Sequence, residues 1–248
     1  MNINQYLDAT YLKTAIQAGI SEEENQQNVA NLLEETLLYE YKLVMIRAKY
    51  ITFAKQFLKE NNSETLVGTV IGFHEGNYSL QTKLDEAKKA IELGADELDF
   101  VINYEEFKKG NINLIKEEVL QGTKLCLENN KIVKWIIEVA ALTANEICDI
   151  SKLIKEIVLE NFGIEAAKKV FVKSSTGFYN TEHNLPNGAT FETMKLIVEN
   201  AKPLQIKAAG GVRDYETALK MITLRVDRIG TSSSKEICTH TTSQSSNY

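Results

Sequence analysis

The stretch Val170-Phe171-Val172-Lys173-Ser174-Ser175-Thr176-Gly177 opens as an apolar, β-branched and aromatic strand, and a lysine ends it just before a Ser/Thr/Gly turn. Removing an ammonium group from water is expensive. A lysine in that place therefore calls for a paired carboxylate, or for a pKa low enough to leave a neutral, nucleophilic amine. The pattern recurs at Leu204-Gln205-Ile206-Lys207-Ala208-Ala209-Gly210-Gly211, where small residues and glycine again follow the lysine. Two lysines at equivalent ends of successive strands are placed to sit side by side.

Outward from this pair, short apolar strands alternate with helix-forming segments. Residues 6–10, 43–46, 66–73, 97–103, 132–139 and 226–230 read as the other strands. Ser21 and Thr143 each have a glutamate three residues on, Glu24 and Glu146, which is the capping-box signature of a helix start. Asp214 is a further cap, and Gly94 stops the helix over 79–93. Eight strands separated by helices give an α/β chain with the element pattern of a (β/α)8 TIM barrel. The alternative is a doubly wound open sheet, since the sequence does not test closure between the first and last strands. No Gly/Pro/Ser linker divides the chain, so residues 1–248 are expected to form a single domain. Its Ser/Thr-rich tail, 239–248, is expected to be flexible.

The chain has 248 residues, of which 44% are hydrophobic, enough for one sizeable core. A net charge of -6 argues against a nucleic-acid or membrane-surface partner. Cys126, Cys148 and Cys238 are far apart, as are His74, His183 and His240, so neither a disulfide framework nor a metal-ligand spacing is visible. Cys126 and Cys148 read as small hydrophobes on helices. With no apolar run of membrane-spanning length and no basic-then-apolar start, a cytoplasmic protein is expected.

Side chains alternate across a strand, so Asp99 shares a face with Val101 and Asn103, Lys134 with Ile136 and Glu138, Phe171 with Lys173, and Gln205 with Lys207. If those faces form the barrel interior, the core holds Lys134, Lys173 and Lys207 with Asp99 and Glu138, and with Asp8 as a third acid. Trp135, of opposite parity to Lys134, then packs against the outer helices. Such a cluster is a poor way to fill a structural core and a good way to build a reactive amine. Neighbouring ammonium groups repel, so one lysine pushes another toward neutrality. A neutral lysine attacks a carbonyl to form a Schiff base, and a nearby carboxylate, Asp99 first among the candidates, moves protons. That set describes an aldolase that needs no metal or cofactor. Thr176-Gly177, Ala209-Gly210-Gly211 and Gly230-Thr231-Ser232-Ser233 each follow a late strand and offer backbone N–H groups to a phosphate, the last opening onto a short helix over 234–238.

These residues resemble the deoxyribose-phosphate aldolase family of class I aldolases. The likeness runs from Leu7-Asp8-Ala9-Thr10-Tyr11-Leu12-Lys13 to Arg228-Ile229-Gly230-Thr231-Ser232-Ser233. Its strongest segments are Thr69-Val70-Ile71-Gly72-Phe73, Gly94-Ala95-Asp96-Glu97-Leu98-Asp99-Phe100-Val101-Ile102-Asn103, Val172-Lys173-Ser174-Ser175-Thr176-Gly177-Phe178 and Ile206-Lys207-Ala208-Ala209-Gly210-Gly211-Val212-Arg213. The resemblance implies reversible cleavage of 2-deoxy-D-ribose 5-phosphate to acetaldehyde and D-glyceraldehyde 3-phosphate, on small phosphorylated sugars and aldehydes, with no cofactor. It implies that Lys173 forms the Schiff base, that Lys207 lowers its pKa and that Asp99 takes part in proton transfer. The phosphate is expected around Gly177, Gly210, Gly211, Gly230, Ser232 and Ser233. Accessory candidates are Asp8, Thr10, Lys134, Glu138 and the terminal Tyr248, and the assembly considered is a homodimer.

The chain departs from the family pattern where Ala9 replaces a usual histidine, Met45 a frequent cysteine, Arg47-Ala48 an Asn-Pro pair and His74 a common proline. The loop over 179–188 is also longer than usual. These changes are expected to surround the mouth. Two other readings stay open: a lysine-dependent aldolase for a keto-acid phosphate, whose carboxylate would need Arg47 or Arg213, and an inactive sugar-phosphate binder.

Overall fold

A computed structural model describes residues 2–241. Eight parallel strands, β1 (Leu7–Tyr11), β2 (Leu43–Ile46), β3 (Leu66–Ile71), β4 (Glu97–Val101), β5 (Ile132–Ile136), β6 (Val170–Lys173), β7 (Gln205–Ala209) and β8 (Arg228–Thr231), are hydrogen-bonded in chain order. The first strand pairs with the last, Asp8 opposite Gly230, so the sheet closes into a barrel. Closure decides against the open sheet.

The surrounding helices are α1 (Ala15–Ala18), α2 (Glu22–Tyr39), α3 (Ile51–Glu60), α4 (Leu80–Glu92), α5 (Tyr104–Lys108), α6 (Ile112–Glu128), α7 (Ala144–Ala166), α8 (Phe191–Ala201), α9 (Tyr215–Thr223) and α10 (Ser234–Thr239). Both capping boxes form: Ser21 N–H donates to Glu24 at 2.8 Å and Thr143 N–H to Glu146 at 2.7 Å, while each hydroxyl accepts the return bond. Asp214 caps α9 through the Thr217 N–H at 2.8 Å. Among the described residues, no helix is long and apolar enough to cross a membrane. Tyr248 and the tail beyond residue 241 lie outside the described residues.

The core is the shell between strands and helices. Trp135 is fully buried there, tilted against Phe100 at 5.0 Å and donating its indole N–H to Thr123 at 3.1 Å. Gly122 faces the same ring, where an added Cβ would come within 2.7 Å of it, so a glycine in mid-helix is what lets α6 lie this close to β5. Cys126 is buried as expected, and Cys148 only partly.

Several expected boundaries move. Strand β4 stops at Val101 because Asn103 becomes the cap of α5, accepting the Glu106 N–H at 3.2 Å; a five-residue helix is too short to show a period. Strand β5 stops at Ile136 because Glu138 adopts a left-handed backbone, φ 55 and ψ 71. Ile137 and Val139 still donate to the carbonyls of Lys173 and Ser174, at 3.0 and 2.9 Å, so the chain stays beside β6 while the alternation of side chains is lost. Glu138 therefore leaves the face it was expected to share with Lys134.

Candidate active site

Register places the charged side chains on one interior face. Asp99 lies opposite Lys134, Lys173 opposite Lys207 and Lys207 opposite Arg228 in neighbouring strands. Asp99 is fully buried and accepts from three lysines: Lys134 at 2.7 Å on Oδ1, Lys173 at 2.9 Å and Lys207 at 2.8 Å on Oδ2. Lys207 Nζ also lies 2.5 Å from Asp8 Oδ2, and Lys134 Nζ 2.5 Å from Glu97 Oε2. Arg228 closes the network from below, donating to Asp8 at 2.7 Å through Nε and to Glu97 at 3.2 Å through Nη1.

Glu97 and Arg228 were not anticipated as parts of this cluster. The signal existed, since Glu97 shares the parity of Asp99, and Arg228 shares that of Gly230 within the strand expected over 226–230. Room for the ring comes partly from Gly230, where a Cβ would lie 2.9 Å from Lys207 Cε.

Four basic and three acidic side chains meet here. Charge balance is reached when one of the four bases gives up its proton, and the environments decide which. Burial lowers the pKa of Lys134, but Asp99, Glu97 and Asp8 together carry it above the ordinary lysine value. Lys173 has Asp99 alone against burial, with Lys207 and Lys134 pushing the same way as burial, and falls from 10.5 to about 8. That fall is worth about 3 kcal/mol of preference for the neutral amine. Asp99 is held well below the usual carboxylate range, the three lysines outweighing burial. Asp8 is drawn down to about 2, burial being overcome by Arg228, Lys207 and Lys134.

Lys173 ends β6 at the C-terminal rim and reaches a cleft lined by Thr10, Leu12, Thr176, Gly177, Phe178, Asn187, Gly210, Gly211, Arg213, Gly230 and Ser232. The three glycine-bearing loops thus converge on one opening, at the end of the barrel where this fold builds its active sites. Gly177, Gly210 and Gly211 have φ of 78°, 81° and 85°, the left-handed region that glycine enters without strain. Ser233 is buried beside the cleft, its N–H donated to Thr231 at 2.9 Å.

Glu138, buried as expected, turns to Ser175 and Thr176 instead of the lysine cluster. Of the departures from the family pattern, Arg47 and His74 are at the mouth: Arg47 lies 4.7 Å over Phe73 and donates to the Leu12 carbonyl at 2.7 Å, and His74 stacks on Phe178 at 5.6 Å. Met45 is instead fully buried in the barrel, its methyl filling the space left by Gly68, because its parity with Thr10 and Gly68 directs it inward.

A closed barrel that carries a lysine of lowered pKa at its C-terminal rim belongs to the class of enzymes that work by amine–carbonyl chemistry. The chain is a member of the DeoC/LacD family of aldolases, whose profile matches residues 5–240. It is 36% identical over 238 residues to a deoxyribose-phosphate aldolase of Thermococcus gammatolerans, covering 96% of this chain and 95% of that one. The deoxyribose-phosphate aldolase of Mycoplasma capricolum is 35% identical over the same coverage, 96% and 95%. Among solved structures, the deoxyribose phosphate aldolase from Aeropyrum pernix, described as having a unique tetrameric structure, superposes with a TM-score of 0.76 at 26% identity. That match covers 96% of this chain and 89% of the other.

Two outcomes follow from the electrostatics. Arg228→Met removes one buried cation from Asp8 and Glu97, leaving Lys207 beside the first and Lys134 beside the second, so urea denaturation is expected to show a loss of about 3–5 kcal/mol. Asp8 and Asp99 have folded-state pKa values below their ordinary ones, so their contribution to stability is complete above about pH 4 and is lost as pH falls toward 2 and below. Denaturation midpoints between pH 5 and 2 are expected to decline with that sign, and a flat profile would contradict it.

Proposed function

We propose that this chain is a class I aldolase that reversibly cleaves 2-deoxy-D-ribose 5-phosphate to D-glyceraldehyde 3-phosphate and acetaldehyde. The observation that carries the reading is Lys173, an amine of lowered pKa at the floor of the one cleft onto which the late loops converge. Its relatives' names supply the substrate.

In the cleavage direction the neutral Lys173 amine attacks the aldehyde carbon of the open-chain sugar. Water leaves, and an iminium forms. The C3 hydroxyl loses its proton, the C2–C3 bond breaks toward the iminium, and glyceraldehyde 3-phosphate departs from an enamine. Protonation of that enamine at C2 and hydrolysis release acetaldehyde and the free amine. Asp99 orients Lys173 through the 2.9 Å hydrogen bond and is the carboxylate closest to the protons that move, directly or through water. Lys207 supplies a positive charge that disfavours a second one on Lys173. Asp8 and Lys134 hold Lys207 and Asp99 in place, and Thr10 lines the mouth.

The phosphate is assigned to the turn backbones at Gly177, Gly210, Gly211 and Gly230 with Ser232 and Ser233, beside the Arg213 guanidinium. Arg47 is a poor anchor for a keto-acid carboxylate, since its Nε donates to Leu12 and its plane covers Phe73. Three dispersed, free cysteines suit a cytoplasmic enzyme.

An assay of glyceraldehyde 3-phosphate release from deoxyribose 5-phosphate tests the reading. kcat/KM is expected to rise with pH through about 8, as Lys173 loses its proton. Lys173→Leu is expected to abolish turnover. Lys207→Met is expected to lower kcat/KM by about 100-fold or more and to move the rise to higher pH, because a charge that destabilises protonated Lys173 is gone. Turnover by a folded Lys173→Leu variant would overturn the assignment.

A further inference from the structure

Glu138 is a buried acid that the aldol chemistry leaves unused. It follows β5 and is 1% exposed. Its Oε2 accepts the Thr176 hydroxyl at 2.5 Å and the Thr176 N–H at 3.1 Å. Its Oε1 lies 2.5 Å from Ser175 Oγ, which is also 2.7 Å from the Asn187 carbonyl and accepts the Gly177 N–H at 3.1 Å.

A serine hydroxyl has one proton and two lone pairs. Were Glu138 an anion, its Oε1 and the Asn187 carbonyl would both need that single proton. Placing a proton on Oε1 resolves the conflict: Glu138 donates to Ser175 Oγ, the Ser175 hydroxyl donates to Asn187, and the Gly177 N–H takes the remaining lone pair. Oε2 then keeps both bonds from Thr176.

We propose that Glu138 is a positioning residue that acts as a neutral carboxylic acid, latching the segment around Asn187 onto the Ser175–Gly177 turn and so setting the phosphate end of the cleft. The latch itself is a statement about hydrogen bonds in the free protein. Its role toward the phosphate rests on the aldolase reading above.

The latched segment bridges two turns of that cleft. Asn187 donates through Nδ2 to the Gly177 carbonyl at 3.3 Å. Gly188 packs so closely on Gly210 that an added Cβ would lie 2.5 Å from its Cα, and Ala189 N–H donates to the Gly210 carbonyl at 2.9 Å. The titratable groups facing Glu138 are Lys173 from β6 and Tyr104 from α5. Burial raises the Glu138 pKa against the opposing pull of its hydrogen bonds and Lys173. Tyr104, pushed up to about 12 chiefly by burial, stays neutral. The latch is therefore complete at low pH and lost as pH rises through the Glu138 titration.

Amide hydrogen exchange over residues 175–189 of the unliganded protein tests this, comparing wild type, E138Q and E138A at each step of a pH series from about 5 to about 10, with near-ultraviolet circular dichroism to establish folding. Glutamine keeps an N–H where the acid has an O–H and an oxygen for Thr176. At the acid end of the series E138Q is expected to exchange within about twofold of wild type and E138A about tenfold faster, as loss of a buried hydrogen bond implies. Wild type is expected to match E138Q below the Glu138 titration and to exchange about threefold faster than E138Q above it, since glutamine has no proton to lose. E138Q exchanging as fast as E138A would overturn the proposal, as would wild type exchanging about threefold faster than E138Q at every pH of the series, the behaviour of a carboxylate ionised throughout. The second comparison holds even if E138A fails to fold. None of these readings needs catalysis, so a failure of the aldolase assignment shows separately. With deoxyribose 5-phosphate, E138A is expected to raise KM about tenfold with kcat within about threefold, and E138Q to restore it. A fall in kcat at unchanged KM would count against a positioning role.

Discussion

The Asp99 carboxylate, buried among Lys134, Lys173 and Lys207, is the contact on which the rest of the site depends. An ionised carboxylate in a low-dielectric interior is tolerable only when several donors face it, and three ammonium groups are tolerable only when acids separate them. Asp8 and Glu97 complete that separation for Lys207 and Lys134, and Arg228 answers the two acids from β8. Lys173 is left with the poorest share of negative charge. Its lowered pKa follows from the arrangement of the whole ring and not from any one neighbour.

The closed barrel makes that ring possible. Closing the first strand against the last brings residues far apart in sequence, such as Asp8 and Arg228, into contact. Gly230 leaves the volume that the Lys207 stem occupies. At the rim, the glycine-bearing turns after β6, β7 and β8 line the cleft that Lys173 reaches, so the amine of lowered pKa and these turns come from consecutive strands. The barrel interior thus sets reactivity, and the loops set what can reach it.

Much of this was legible because strand alternation is a rigid rule. The apolar runs ending in Lys173 and Lys207, with Asp99 and Lys134 inside other strands and Asp8 on the first, were enough to place five of the seven central charges and the class of chemistry. The rule failed at Glu138, where one left-handed residue re-aims the side chain toward Ser175 and Thr176. It was not carried to Glu97 or Arg228, since a lone charge in a strand looks the same in sequence whether it faces the barrel interior or a solvated edge. The short α5 and the close approach of Gly188 to Gly210 left no periodic signal at all. Such contacts depend on where two distant turns meet, which only the folded backbone defines.

The central claim is that Lys173, among all the lysines of the chain, is the amine that bonds covalently to a carbonyl substrate. Incubating the purified protein with acetaldehyde and sodium borohydride, followed by peptide mass mapping, tests it most directly. The account predicts one reduced ethyl adduct, on Lys173. An adduct on Lys207 or Lys134 in its place, or none on any lysine of the folded protein, would contradict it.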